Sequence, residues 1–479
     1  VANVLEFLEK QFPDAELLKA VRQAAASLDT DTYLVGGFVR DMLMGRDCKD
    51  VDFMCVGDGI ALAMEVHRLL GKEGQPAVHK NFGTASFVHN GLWVEFVGAR
   101  KESYRSHSRN PEVSPGTLED DLARRDFTIN ALAIRLTGED PGELIDLFGG
   151  FGHLQEGLLK TPLDPDRTFD DDPLRMLRGI RFAAQLNFRL DGAALESMKR
   201  HRERLRIVAA ERIGEELNKM LLSPHPAKAF KLLFNTGILE VIFPEMARLQ
   251  GVEYQDGHGH KDNFYHTLEV LTRLRAKTDK LWLLWSAVLH DIAKPRTKRF
   301  EPGHGWTFHG HEELGARMVP GIFKRLGLPQ NEKCQYVQKL VRLHLRPIVL
   351  SKEDITDSAI RRLIFEAGDD LEDLMLLCEA DITSKNDAKV KRYLANYELV
   401  RRKIAEVEAR DHIRNFQPPV SGEEVMRLFN LPPCKTVGIL KNAVKEAILD
   451  GVIPNERTAA LNFLMEEARK LGLEPVNSP

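Results

Sequence analysis

Cysteine is scarce in this chain. There are five among 479 residues (Cys48, Cys55, Cys334, Cys378, Cys434), an odd number with no Cys-x-x-Cys pair. That argues against a disulfide framework and a cysteine-ligated zinc site, and it fits a reducing compartment. Long apolar runs are missing as well. No stretch approaches the roughly 18 residues that a membrane span needs. The opening Val1-Ala2-Asn3-Val4-Leu5-Glu6-Phe7 has neither a basic nor an apolar leader character. The expectation is a soluble, cytoplasmic protein without membrane attachment. Positive charge is not in excess either: 67 Lys and Arg against 71 Asp and Glu leave −4. A globally basic nucleic-acid coat is thereby excluded, and any RNA contact must come from a local patch. No internal repeat or low-complexity tract stands out. What remains is ordinary globular material, 43% hydrophobic and 29% charged, enough for roughly three or four domains.

The first half mixes strand and helix signals. Residues 33–35, 51–56, 84–88 and 92–97 are short β-prone runs punctuated by Gly, Asn and Asp, while 38–44 and 60–70 carry helical apolar spacing. From about 173 onward the chain reads almost entirely as helix, with Leu174, Leu177, Ile180 and Ala184 and then Ile213, Leu217, Met220 and Leu221 at three- and four-residue intervals. Pro- and Gly-rich joints near 161–165, 223–226, 301–305 and 417–422 mark candidate boundaries.

Gly36-Gly37 follows a strand and opens a helix running to Gly45, a junction whose backbone amides suit a phosphate; a tight turn explains the pair equally. Asp50-x-Asp52 comes next. In a strand, residues i and i+2 share a face, so both carboxylates point the same way. They repel unless cations sit between them, and paired Mg²⁺ ions are readily shared with substrate phosphates. A solvated strand edge is the plain alternative. The order Gly36-Gly37-x-Val39-Arg40-Asp41, Gly45, Asp50-x-Asp52 resembles the signature of the nucleotidyltransferase superfamily that contains DNA polymerase β. That resemblance calls for a third carboxylate on a neighbouring strand, and Glu95 is the candidate. Arg40 and Asp41 also read as a surface ion pair.

Two arginine-rich segments follow the sheet. Arg124-Arg125-Asp126-Phe127-Thr128-x-Asn130-Ala131 offers guanidinium forks for phosphate oxygens, with Asp126 and Asn130 for ribose hydroxyls. A charged helix start anchored by Phe127 is the alternative. Asp170-Asp171-Asp172-Pro173-Leu174-Arg175 then opens a helix with an N-cap candidate at Asp172. Arg175, Arg178 and Arg181 fall along one drifting face of it. Between 173 and 206 nine basic residues, among them Lys199 and Arg200, stand against three acidic ones, a local net charge of +6 suited to an RNA backbone.

These four motifs, in this order, are similar to those of class II tRNA nucleotidyltransferases, the CCA-adding enzymes, and of their bacterial poly(A) polymerase relatives. The match runs from about 30 to 245, with weaker similarity in the tail at Val420-Ser421-Gly422-Glu423-Glu424-Val425 and Ala443…Gly451…Asn455-Glu456. The resemblance implies that Asp50 and Asp52 hold two Mg²⁺ ions beside Glu95. It further implies that Gly36, Gly37, Arg40, Arg124, Arg125, Asp126 and Asn130 bind nucleotide, and that Asp172 and Arg175, supported by Arg178, pair with the base of incoming CTP or ATP. A carboxylate accepts from the exocyclic amine that C and A share, while a guanidinium donates to ring acceptors. Asp171 stands where the family usually has Glu. Arg181, Lys199 and Arg200 are candidates for RNA contact, and 98–121 resembles the family's flexible loop for switching from C to A addition. A plain surface connection fits that segment too.

Histidines concentrate between 258 and 344. His290-Asp291 ends an apolar helix, His266 lies one helix earlier, His309, His311 and His344 follow, and Asp381 closes a later helix. This pattern resembles the HD phosphohydrolase superfamily, which implies His266, His290, Asp291 and Asp381 as metal ligands, with His311 and His344 as candidate ligands of a second ion. Mixed imidazole and carboxylate ligation suits a transition metal such as Mn²⁺, Ni²⁺, Co²⁺ or Fe better than Mg²⁺. Lys294, three residues after Asp291, would share its face and meet a phosphate. In related bacterial enzymes this domain hydrolyses 2′,3′-cyclic phosphates and phosphomonoesters.

The expected fold is α+β: a small mixed α/β, polymerase β-like head (1–150), then an all-α neck (151–245), HD domain (246–385) and tRNA-binding tail (386–479). The expected activity is template-independent addition of CCA to the tRNA 3′ end from CTP and ATP. The rivals are a poly(A) polymerase, a partial CC- or A-adding enzyme, and an HD phosphohydrolase whose front half merely binds RNA.

Overall fold

The computed structural model describes residues 4–80, 83–103, 112–350, 356–383, 387–414 and 416–476. They form two compact units, Val1–Ala247 and Arg248–Pro479.

The first unit is built on strands β1 (Thr32–Val35), β2 (Asp50–Cys55), β3 (Ala77–His79), β4 (Thr84–His89) and β5 (Leu92–Gly98), a separate hairpin β6 (Arg100–Ser103) and β7 (Glu112–Pro115), and β8 (Leu132–Arg135) and β9 (Leu144–Asp146). Seven of them make one sheet in the order β3-β4-β5-β2-β1-β8-β9. Only β2 and β5 run parallel; the other pairs are antiparallel. Four strands coincide with the β-prone runs. The sheet is larger than those runs imply, because β3, β8 and β9 are three- or four-residue segments that hold their place by pairing with neighbours rather than by a local pattern.

Period-two alternation sorts the strand residues into two faces. Val51, Phe53, Val94, Phe96, Ala85 and Phe87 point one way and pack under the helices Ala15–Ser27, Gly37–Leu43 and Gly59–Leu69. Phe96 stacks between Phe53 and Phe87 with centroids 5.2 and 5.7 Å away. Each such ring, fully buried, contributes on the order of 2–3 kcal/mol. The opposite face carries a smaller cluster of Tyr33, Val35, Met54, Leu118, Leu122 and Ala133, and beside it the polar residues of β2 and β5.

The rest of this unit is helical. Leu174–Leu186 buries Leu174, Leu177, Ile180 and Ala184, as its spacing predicts, and packs with Ala210–Leu221 and Pro226–Asn235. Gly179 lets Phe127 lie against this helix: a Cβ there would come within 2.5 Å of the Phe127 ring.

The second unit packs the helices Asn263–Arg275, Leu281–Leu289, His311–Arg325, Glu332–Leu343 and Leu371–Asp381 around buried residues such as Trp285 and Phe323. Asp357–Ala367, Asp387–Asp411, Gly422–Phe429, Lys435–Asp450 and Arg457–Lys470 complete it. It is not purely helical. Two small hairpins, Tyr254–Gln255 with His258–Gly259 and Arg299–Glu301 with Gly305–Thr307, precede and follow the first two of its helices. The glycine-rich stretch at 301–305 is thus a hairpin turn inside the unit rather than a boundary. No helix among the described residues is long and apolar enough to cross a membrane. All five cysteines are free.

Candidate functional site

On β2, Asp50 and Asp52 lie on the face away from the aromatic core, as alternation requires. The parallel β2–β5 register sets Asp52 beside Glu95 and Asp50 beside Trp93. Three carboxylates therefore share one sheet face. Burial pushes Asp52 up to about 6, with the negative Glu95 and Asp50 adding to the effect and Arg125 partly offsetting it. A half-buried acid held next to two others is a site whose charge calls for cations.

Next to the acids, Gly36 (φ +76°) turns the chain from β1 into the helix Gly37–Leu43. A Cβ at Gly36 would lie 2.8 Å from Arg125 Nη1 and 3.4 Å from Asp52 Oδ2, so only glycine lets these two groups close over the turn. Arg40 donates to Asn130 Oδ1 at 2.7 Å and makes a paired contact with Asp41 at 2.9 and 2.8 Å. Arg40 and Asp41 are thus part of the cleft wall rather than a helix-surface pair.

Arg124 and Arg125 both fork onto Asp121, at 2.6 and 3.0 Å. Burial alone would raise this fully enclosed carboxyl, but Arg125 and Arg124 hold it below the usual range. Asp121 was not among the expected site residues. Its signal was the three- and four-residue spacing to both arginines on one helical turn. Asp126 is also buried. Oδ1 accepts from the Phe127 N–H and Asn130 Nδ2, and Oδ2 accepts from Arg178 Nε at 2.7 Å. Asp126 and Asn130 line the cleft, yet these atoms are engaged within the protein and brace it rather than stand open for a ribose.

The helix Leu174–Leu186 forms the opposite wall. Asp172 Oδ1 accepts from the Leu174 N–H, although the N-cap position of this helix falls to Pro173, and Arg175 donates to the carbonyls of Arg124 (2.6 Å) and Thr168 (3.3 Å). Asp171 faces Arg167 at 3.9 Å. Arg40, Arg178 and Arg181 gather around the Phe182 ring at 5.1, 5.4 and 4.4 Å. Arg181 departs from expectation. Instead of an RNA-facing surface it occupies the cleft, paired at 2.8 Å with buried Glu216. Glu216 comes from the helix Ala210–Leu221, and so does Arg212, which also reaches the cleft; neither was anticipated. Lys199 and Arg200 are exposed, bonded to Glu196 and Asp166. The cleft encloses about 460 Å³. In the 98–121 segment, β6, β7 and the helix Leu118–Ala123 are in place; residues 104–111 of that expectation lie outside the described residues.

The second unit gathers its own constellation. His266, His290 and Asp381 form one potential ligand triplet, and Asp291, His311 and His344 another. Asp291 joins them: Oδ2 lies 3.6 and 3.3 Å from His266 and His290, and Oδ1 lies 3.2 and 3.8 Å from His311 and His344. The six expected residues come together as two triplets, with Asp291 lying between them and close to His266 and His290 as well. His309 is 84% exposed and stands apart.

Nδ1 of His290, His311 and His344 each meets a carbonyl three residues back, at 2.6, 2.8 and 2.6 Å, and His266 Nδ1 meets Thr383 Oγ1 at 2.9 Å. That arrangement aims Nε2 inward as the ligand atom. His290 Nε2 is buried without a hydrogen-bond partner. Burial opposes charge on this ring, but Asp291 and Asp381 outweigh it and push its pKa up, so the centre favours positive charge. Burial and the charge at His290 hold His344 down at about 3, a neutral donor. The donor set fits divalent cations. Lys294 Nζ sits 2.6 Å from Asp291 Oδ2. A pocket of about 350 Å³ opens over His266, Asp381 and Lys294, walled by Lys261, Phe308 and Tyr393.

Comparison with known proteins finds matches over the regions that hold both clusters. Residues 32–160 match the poly A polymerase head domain, 187–249 the probable RNA and SrmB-binding site of polymerase A, and 263–385 the HD domain. The chain is 33% identical to the CC-adding tRNA nucleotidyltransferase of Thermus thermophilus, over 90% of this chain and 92% of that one. It is 31% identical to the A-adding tRNA nucleotidyltransferase of Deinococcus radiodurans, over 91% and 95%. In fold it resembles the Thermotoga maritima CCA-adding enzyme complexed with tRNA, with a TM-score of 0.61, 21% identity and coverage of 97% and 99%. With the acidic sheet face, the guanidinium-lined cleft and full-length likeness all in agreement, the chain belongs to the tRNA nucleotidyltransferase family.

Proposed function

We propose that this chain adds C, C and A to the 3′ end of tRNA, using CTP and ATP, without a nucleic-acid template. The observation that carries this is the placement of Asp50, Asp52 and Glu95 on one sheet face against the cleft walled by the helix Leu174–Leu186. The Gly36-Gly37 turn, Arg40 and Arg125 take the triphosphate. Asp172 and Arg175 meet the base edge, Arg175 with its fork oriented by the Arg124 and Thr168 carbonyls. Arg178 is bonded to Asp126, which keeps that helix in place opposite the acids. When bound, two Mg²⁺ ions would activate the RNA hydroxyl and neutralise the leaving pyrophosphate. Asp50 and Asp52 would hold them, with Glu95 adjoining. The division of labour is a head to about 150, a neck to 245, an HD domain to 385 and a tRNA-binding tail to 479. Five free cysteines suit a reducing, cytoplasmic setting.

The HD cluster adds a phosphohydrolase function, directed at 2′,3′-cyclic phosphates and phosphomonoesters. A divalent transition metal held by the two triplets would supply an activated water, with Lys294 positioned for the substrate phosphate.

A second reading has its own support: two relatives matching nine-tenths of the chain carry out CC addition in one case and A addition in the other. Incubating the protein with tRNA lacking its terminal triplet and with tRNA ending in CC, each nucleoside triphosphate supplied alone and then CTP with ATP, separates the outcomes. CCA addition gives two residues with CTP and three with the mixture. A long ladder with ATP alone identifies a poly(A) polymerase, and no extension at all sinks the assignment.

A further inference from the structure

Tryptophan is rare in this chain, and of its four residues only Trp93 belongs to the first unit. It lies on β5, two residues before Glu95, so alternation puts both on the same sheet face. Its partner in the parallel register is Asp50. On the other side it pairs with Val88 of β4. Trp93 is 47% exposed and Val88 is 55% exposed, although residues on the opposite side of β5 are buried in the core. Among the described residues the indole has neither a ring partner nor a hydrogen bond; the Trp93 backbone N–H donates to the Lys49 carbonyl at 2.8 Å. Lys72 reaches the Val88 carbonyl at 2.8 Å, which brings a cation to the same patch. A large apolar ring left half in water next to an acidic centre is not a core residue of the sheet.

The direction of the chemistry says what it is for. The nucleotide cleft is walled by the Gly37 turn, the arginine motif and the helix Leu174–Leu186, and β5 contributes nothing to it. In an in-line displacement the attacking hydroxyl enters opposite the departing pyrophosphate. A triphosphate lying along Gly37, Arg40 and Arg125 sends its pyrophosphate toward that wall, so the RNA hydroxyl must come from the far side of Asp50 and Asp52. That side is β5, with Glu95 beside Asp52 and Trp93 beside Asp50. Every base has a π-face, so an exposed indole holds a terminal nucleotide whatever its identity. That tolerance is required, because the 3′ end changes after each addition.

We propose that Trp93 is the stacking platform for the 3′-terminal nucleotide of the RNA acceptor, positioning its hydroxyl at the Asp50–Asp52–Glu95 face. The proposal rests on the nucleotidyltransferase assignment of that face. Trp93 takes no part in bond making; it is a positioning residue on the acceptor side.

The test uses the full chain and a tRNA ending just before CCA with 2-aminopurine as its last base. Without any nucleotide, binding to the unsubstituted protein should quench the 2-aminopurine emission at least about twofold. Trp93→Ala should abolish the quench and Trp93→Phe should keep most of it. In turnover, Trp93→Ala should raise the KM for tRNA about tenfold, within the range of a lost base–aromatic stack, and leave the KM for CTP within about twofold. Trp93→Phe should restore most of the tRNA affinity. An unquenched probe on the unsubstituted protein overturns the platform, and so does a Trp93→Ala variant that quenches normally or raises both KM values together. Quenching that depends on Trp93, in a protein that extends tRNA with no triphosphate, upholds the platform and overturns the functional assignment instead.

Discussion

Arg178 Nε donates to Asp126 Oδ2 at 2.7 Å, tying the arginine motif that follows the sheet to the helix that faces it. Burial alone would raise the Asp126 carboxyl. The Arg178 charge, the bonds from Asn130 and Arg178, and the Arg175 charge together hold it far below the ordinary carboxylate range. A depressed folded-state pKa contributes stability above the unfolded value near 4, and that contribution is lost as pH falls below it. Asp126→Asn should therefore cost about 2–3 kcal/mol at pH 7, less than a fully enclosed pair because Arg178 is 37% exposed. Urea unfolding at pH 7 and at pH 3.5 checks this: the gap between variant and parent should narrow at the lower pH.

Asp50→Ala and Asp52→Ala should each lower incorporation of labelled CTP and ATP by at least about a thousandfold while tRNA binding persists. Because Asp52 is pushed up to about 6, protons compete with cations there below neutrality. The Mg²⁺ concentration for half-maximal rate should rise on going from pH 7.5 to pH 5.5. An unchanged Mg²⁺ requirement across that range would remove Asp52 from the metal site.

Arg175→Ala should blur the choice among the four triphosphates more than it slows bond formation. Arg175→Lys should not rescue it, since a point charge cannot reproduce a planar fork held on two carbonyls. Single-turnover rates with each nucleotide supplied separately measure both effects.

In the second unit, the two ligand triplets predict two divalent ions in that unit. Titration calorimetry with Mn²⁺ should find about one equivalent fewer for His344→Ala than for the unsubstituted chain. Asp291→Asn, whose oxygens face both triplets, should weaken both sites. Nucleotide addition should survive either change, because the acids of the first unit belong to a different cluster.

Much of this was legible from local patterns. Asp50 and Asp52 fall on one face because strand periodicity is two, and Glu95 could be chosen because the resemblance called for a third carboxylate on a neighbouring strand and the β-prone run 92–97 holds one. The six candidate ligands of the second unit were indicated by the resemblance of their pattern to the HD superfamily. Glu216 was hidden for another reason: its partner, Arg181, comes near only on folding, whereas Asp121 has its partners Arg124 and Arg125 three and four residues away. Arg181 carried the right charge at the right spacing, but whether that part of the helix meets solvent or Glu216 depends on how Ala210–Leu221 packs. β8 and β9 are too short to show a period of their own. Trp93 gained meaning only from the β2–β5 register, which no local rule predicts.

That register has a kinetic side. Parallel strands cannot be joined by a tight turn, so β2 and β5 are linked through the helix Gly59–Leu69 and the β3–β4 hairpin. Asp52 meets Glu95 only after that whole excursion has closed, a non-local event that is slow compared with forming either element. A nascent chain emerging from the ribosome would thus carry its first two acids well before the third. The acidic face is completed only when the crossover docks, so the three-acid arrangement is a late product of the chain's own folding.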